Sequence, residues 1–170
     1  MIIPLAFLAF GILASPLTPE SLHSSIVKAG ADATLHTMSN SDWDRFYDAV
    51  KDGKPEWIKL IPEVTPGTDA GRAEDLAPML ALGLSKAPVA VLSVLNDRVY
   101  SHLTGSEVVC SMPFIEPTRD SIYRYYKRTR TALVKVGVTG TKCLAILDAS
   151  MQSIKKNDSQ GKIEWGEGEY

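Results

Sequence analysis

Between Asp42 and Asn96 prolines and glycines interrupt the apolar residues every ten positions or so, which leaves room for short helices and little else. Trp43, Phe46, Tyr47 and Val50 stand at i, i+3, i+4 and i+7, one stripe of an amphipathic helix. Asp42, Asp44, Arg45, Asp48 and Lys51 fall on its other side. Ser41, with Asp44 three residues on, resembles a capping box. Asp52-Gly53 ends that helix, and Pro55 suits the first turn of the next, where no amide donor is needed. Trp57, Leu60, Ile61 and Val64 form the second stripe, and Pro62 inside it predicts a kink or an early end. After Thr65–Asp69, with Thr68 or Asp69 as cap, Leu76, Met79, Leu80, Gly83 and Leu84 make a third stripe. Pro88 opens a fourth helix whose Val89, Val91, Leu92, Val94 and Leu95 point in every direction. A helix apolar all round is normally buried, so residues 88–96 are expected at the centre of the core.

The flanks read the same way. Thr18, Pro19 and Glu20 make a helix start, followed by a thin stripe of Leu22, Ile26 and Ala29. Met112 to Pro117 is an apolar segment fenced by prolines, each of which disfavours helix in the residue before it, and reads as an extended crossing. The longest helix begins near Thr118, with Ile122, Tyr126, Thr129, Leu133 and Val136 as its seam. Gly137 to Gly140 breaks it, and a last helix runs from about Thr141 to Lys156 with Leu144, Leu147, Met151 and Ile154 inward. No segment alternates as a half-buried strand over more than four residues. The fold class expected is therefore all-α: an irregular multi-helix bundle, or a short HEAT-like stack of helix hairpins. The domain plan is a signal peptide over 1–14, a single helical domain over 15–156, and a glycine- and glutamate-rich flexible tail over 157–170.

The apolar start, Ile2 to Ala14, is shorter than the roughly 20 residues a membrane-spanning helix needs. It fits the apolar core of a secretory signal peptide, although no Lys or Arg precedes it; an N-terminal helix packed on the core is the alternative. Export places the chain in the periplasm or outside the cell, with no transmembrane span after processing. Two cysteines, Cys110 and Cys143, then admit one disulfide, the alternative being two buried thiols. Neither has a second Cys or His at ligand spacing, so no metal site is expected. A formal charge of −2 argues against nucleic acid as the main partner.

Candidate sites are few. His23, His36 and His102 show no metal or catalytic spacing. Gly137-x-x-Gly140-x-Lys142 lacks the spacing and the strand of a phosphate-binding loop and reads as a turn joining helices. Asp69 and Glu74 lie where a glycine-rich loop meets a helix start; they either complement the helix dipole or face a cation or a partner. Arg119, Tyr123, Arg124, Lys127 and Arg128, with Tyr125, Arg130 and Lys135, make the longest helix strongly basic. That is either a solvated face or a patch for an acidic partner, an anionic polymer or a lipid head-group surface. No nucleophile motif is present, no catalytic residue is assigned and no cofactor is implied.

The pattern Trp43…Val50…Gly53-x-Pro55-x-Trp57, Pro66-Gly67-Thr68-Asp69-Ala70-Gly71, Glu74-x-Leu76, Pro88, Val91-Leu92, Val109-Cys110-x-x-Pro113-Phe114-Ile115-Glu116 is similar to an uncharacterised family of short exported helical proteins of proteobacteria. The resemblance covers about the middle half of the chain and implies export and helices, with no activity. The expectation is an exported, non-enzymatic binding or structural protein of the bacterial envelope, its partner a protein or an acidic envelope polymer. An immunity or inhibitor protein that blocks a toxin or hydrolase is the alternative, and a small envelope enzyme a third.

Overall fold

The computed structural model describes residues 16–170, and the expected signal peptide over 1–14 lies outside the described residues. In chain order the helices are α1 (Pro19–Ala29), α2 (Ala31–His36), α3 (Asn40–Lys51), α4 (Pro55–Ile58), α5 (Ile61–Val64), α6 (Ala70–Leu84), α7 (Pro88–Val94), α8 (Ser101–Thr104), α9 (Ser106–Val109), α10 (Arg119–Val136) and α11 (Thr141–Ser159). No β-strand forms among the described residues, and none of the described helices is long and apolar enough to cross a membrane. The architecture is an irregular all-α bundle.

Local chemistry sets the boundaries. The capping box of α3 is Ser39 with Asp42, two residues earlier than the expected Ser41 and Asp44. The Ser39 hydroxyl accepts from the Asp42 amide, and the Asp42 carboxylate accepts from the Ser39 amide. Asp69 caps α6 by accepting from the Arg72 amide at 2.8 Å. Pro55, Pro62 and Pro88 all sit in the first turn of their helices. Pro62 therefore divides the segment into α4 and α5 and does not kink one longer helix.

The core is centred on the pairing of α3 with α6. Trp43, Phe46, Tyr47 and Val50 face Leu76, Ala77, Leu80, Ala81 and Leu84, all buried. The backbones meet closely at Gly83, where a Cβ would lie 2.5 Å from the Val50 carbonyl oxygen. Trp43 stacks on Tyr47 at 5.4 Å, and Trp57 meets Phe46 edge-on at 6.1 Å. The α10–α11 hairpin packs through α10 on α6 and α7, and Cys110 and Cys143 join α11 to the end of α9 through a disulfide with a Cα–Cα distance of 5.3 Å.

Three expectations are corrected. Residues 88–96 are not the centre of the core. Val91 and Val94 are buried, but Val89 is 63% exposed, because one side of α7 faces the polar side of α10 across open space. The small residues Ala77, Ala81 and Gly83 give the central position to α6. In α10 the buried stripe runs through Ile122, Tyr125, Thr129 and Leu133. Tyr125, assigned to the basic face from sequence, is fully enclosed, while Tyr126 is half-buried. Finally, residues 157–170 are not a loose tail: α11 continues to Ser159, and the residues beyond it pack on the fold. They run back as a strap along the start of α10, with main-chain hydrogen bonds from Gly166 to Pro117, Gly168 to Glu116 and Thr118 to Gly168. Gly166 allows this approach, since a side chain there would collide with the Glu116 backbone.

Candidate functional site

The charge pattern of α10 separates into two faces once its buried stripe is fixed. Thr118 caps the helix by accepting from the Ser121 amide, and Tyr125 anchors it by donating to the Ala81 carbonyl at 2.8 Å. With the stripe pointing inward, a period of 3.6 residues puts Arg119, Tyr123 and Arg130 on one flank and Arg124, Lys127, Arg128, Thr131 and Lys135 on the other.

The first flank is internally satisfied. Arg119 pairs with Asp158 at 3.0 Å and lies over the Tyr123 ring at 5.7 Å. Arg130 and the Tyr126 hydroxyl both donate to Asp148, at 3.0 and 2.8 Å. Desolvation and that carboxylate raise the Tyr126 pKa, and the same carboxylate raises that of Arg130. The expected binding set is thus divided, with Arg119 and Tyr123 held in structural contacts.

The second flank borders a groove of about 880 Å³. Arg124, Lys127, Arg128, Thr131, Ala132, Lys135 and Val136 form one wall, and Ser85, Lys86, Pro88 and Val89 form the other. Five cations therefore surround a floor made by Pro88, Val89, Ala132 and Val136. Three of the five already have an acceptor. Lys86 pairs with Asp52 at 2.7 Å, and that hydrogen bond holds the Asp52 carboxyl below the usual carboxylate range. Arg124 pairs with Glu169 of the strap, and Arg128 donates to the Tyr170 main-chain oxygen at 3.3 Å. Lys127 and Lys135 make no ion pair among the described residues.

The loop carboxylates do not come together. Asp69 is engaged as the α6 cap and borders a polar hollow of about 360 Å³ with Asp32, His36, Trp43 and Arg72, whose guanidinium lies 5.3 Å from the Trp43 ring. Glu74 is exposed and takes no part in that hollow. His23 meets Glu63 at 2.7 Å, a contact between α1 and α5 that spacing in sequence does not reveal. No group of three or more His, Cys, Asp or Glu side chains suited to a metal ion occurs among the described residues. Sequence reasoning misses Lys86, Pro88 and Val89 as site residues because they reach the groove from the α6–α7 turn and the start of α7. Their sequence signal, a lysine just before a proline-led apolar helix, is no different from that of an ordinary junction.

Comparison with protein families, with curated proteins and with solved structures returned no match for this chain.

Proposed function

We propose that this is an exported, non-enzymatic binding protein of the bacterial envelope, which holds an acidic protein segment in the groove between α7 and α10. The observation that carries the reading is the pair Lys127 and Lys135, cations without an ion-pair partner among the described residues, set beside an apolar floor that includes an exposed valine. Like charges around one groove repel, and an acidic occupant relieves that repulsion. The apolar floor adds a term that a bare polyanion does not use, so a peptide with acidic and aliphatic side chains fits better than a simple acidic polymer. The Cys110–Cys143 bridge is in keeping with an oxidising compartment, as is the resemblance to short exported helical proteins. The side chains with displaced pKa values, Tyr47, Asp52, Asp97, Tyr125, Tyr126 and Arg130, lie outside the groove lining and have structural partners, which favours holding over chemistry.

The test is fluorescence anisotropy with a labelled amphipathic peptide of glutamate and leucine. Lys127→Glu/Lys135→Glu is expected to weaken binding about tenfold or more, from two exposed charge reversals of roughly 0.5–1 kcal/mol each. Lys28→Glu, on the exposed side of α1, is expected to leave binding unchanged. Equal affinity of wild type and the Lys127/Lys135 variant would remove the reading.

A further inference from the structure

The strap that closes over α10 carries a glutamate and a tyrosine at positions 169 and 170, and both lie against the arginines of the groove. The Glu169 carboxylate accepts from Arg124 and, at 2.8 Å, from the Thr118 hydroxyl. The Tyr170 ring stacks on Phe114 at 4.4 Å with 22° between the planes. Its hydroxyl donates to the Ile115 carbonyl at 2.9 Å, and its main-chain oxygen accepts from Arg128. This corner is continuous with the groove. Ser85, Lys86 and Arg128 line both the groove and a neighbouring hollow of about 400 Å³ that Glu169 and Tyr170 help to wall.

The arrangement is a carboxylate on Arg124, which also faces the open groove, with an aromatic ring beside it seated on Phe114 at the groove's end. We infer that the groove recognises an acidic segment carrying a carboxylate next to an aromatic ring, and that Glu169 and Tyr170 fill this subsite until such a partner displaces them. The inference rests on the groove reading proposed above and adds to it the partner's chemistry and an internal competitor.

The strap is fastened unevenly, which lets residues 169 and 170 leave. Between 166 and 168 it is held by main-chain hydrogen bonds. Beyond them its hold is the Glu169–Arg124 pair, with side chains 62% and 51% exposed, the Thr118 contact, one long bond to Arg128 and the Tyr170 contacts. An exposed ion pair contributes little against water and salt. Lys127, one turn from Arg124, and Lys135, two turns further along α10, make no ion pairs among the described residues, so an acidic partner can dock on the lysines first and then compete for Arg124 and Arg128. A subsite occupied internally nine-tenths of the time lowers the apparent affinity of an outside ligand about tenfold.

Two labelled probes separate this inference from the groove reading: a peptide with the sequence of residues 162–170, and the glutamate–leucine peptide. Both are titrated against the full chain, against Glu169→Gln/Tyr170→Ala, and against Lys127→Glu/Lys135→Glu. The expected result is a gain of about tenfold for the 162–170 peptide in the Glu169→Gln/Tyr170→Ala protein. In wild type with isotopically labelled tyrosine rings, saturation with unlabelled 162–170 peptide is expected to shift the Tyr170 ring signals from their Phe114-stacked positions toward those of a free chain. This second measurement needs no substitution and stands even if the variant folds poorly. No gain for the 162–170 peptide, together with Tyr170 ring signals that do not move, overturns the strap inference and leaves the groove reading intact. Binding of both probes unaffected by Lys127→Glu/Lys135→Glu overturns the groove reading itself.

Discussion

Tyr125 carries a hydroxyl into the enclosed centre of the molecule, where its oxygen donates to the Ala81 carbonyl at 2.8 Å. The ring packs edge-on to Phe114 at 4.8 Å, so the residue ties α6, α10 and the 112–117 crossing together. Tyr125→Phe keeps the ring and removes one hydrogen bond. It is expected to cost about 1 kcal/mol in urea unfolding, with the slope of the transition unchanged. Burial also pushes the Tyr125 hydroxyl pKa upward, and burial does the same at Tyr47, where nearby Asp75 adds to the effect. The folded state therefore keeps its proton where the unfolded chain, with a tyrosine pKa near 10, loses it. The stability held by the neutral hydroxyls is complete below about pH 10 and declines as the pH rises through the folded values. Urea midpoints measured from pH 8 to 11 are expected to fall less steeply in Tyr47→Phe/Tyr125→Phe than in wild type. A sequence pattern does not find this residue. Positions 122, 126, 129, 133 and 136 make as good a helical seam as the true stripe, and a tyrosine suits a wet face as readily as a dry one. The stripe through Trp43, Phe46, Tyr47 and Val50 is legible because charged residues occupy the alternative faces, and that through Leu76, Leu80 and Leu84 because leucine recurs every fourth residue.

At the scale of elements, the short helices α8 and α9 are four residues each and too short to hold themselves by local hydrogen bonding. Two links fix them to α11. Asp97 accepts from Lys142 at 2.6 Å and from the Ser106 amide at 2.7 Å, and these donors hold its carboxyl below the usual carboxylate range. The Cys110–Cys143 bridge closes a loop with a sequence separation of 33. In the chain-entropy account a loop of that length contributes about 3–4 kcal/mol by restricting the unfolded chain. Reduction, or Cys110→Ser/Cys143→Ser, is expected to lower stability in urea by roughly that amount, the two treatments agreeing. A fall well under 1 kcal/mol would mean that the α9–α11 contact persists without the bond. The bridge is legible in the sequence, because two cysteines have only one way to join each other. The strap is not legible in the same way. Gly161, Gly166 and Gly168 with several glutamates resemble a disordered tail in composition. Here glycines serve close packing, because Gly166 lies where a side chain would meet the Glu116 backbone. Composition reports the freedom of a chain and not what lies beside it.

At the scale of the whole molecule, a chain of formal charge −2 gathers five of its eighteen lysines and arginines around one groove. Acidic groups answer two of them at the rim, Asp52 on Lys86 and Glu169 on Arg124. The basic character of α10 is legible from sequence; that only one flank of it stays open follows from Asp148 and Asp158 on α11, contacts that no spacing rule predicts. The proposed acidic segment would be held there by two forces with different salt dependence. The attraction of Lys127 and Lys135 for carboxylates is screened over about 10 Å at 0.1 M salt and over about 3 Å at 1 M. The contact of aliphatic side chains with Val89 is not screened, and burying one valine-sized side chain contributes about 1–2 kcal/mol. For the glutamate–leucine peptide, Lys127→Gln is therefore expected to weaken binding severalfold at 50 mM sodium chloride and scarcely at all at 1 M. Val89→Ser is expected to weaken it by about tenfold at both concentrations. Anisotropy titrations of the three proteins at both salts decide the matter. If the Val89→Ser loss vanished at high salt along with that of Lys127→Gln, the floor would contribute nothing, and the groove would be a site for simple polyanions in place of an acidic, partly apolar protein segment.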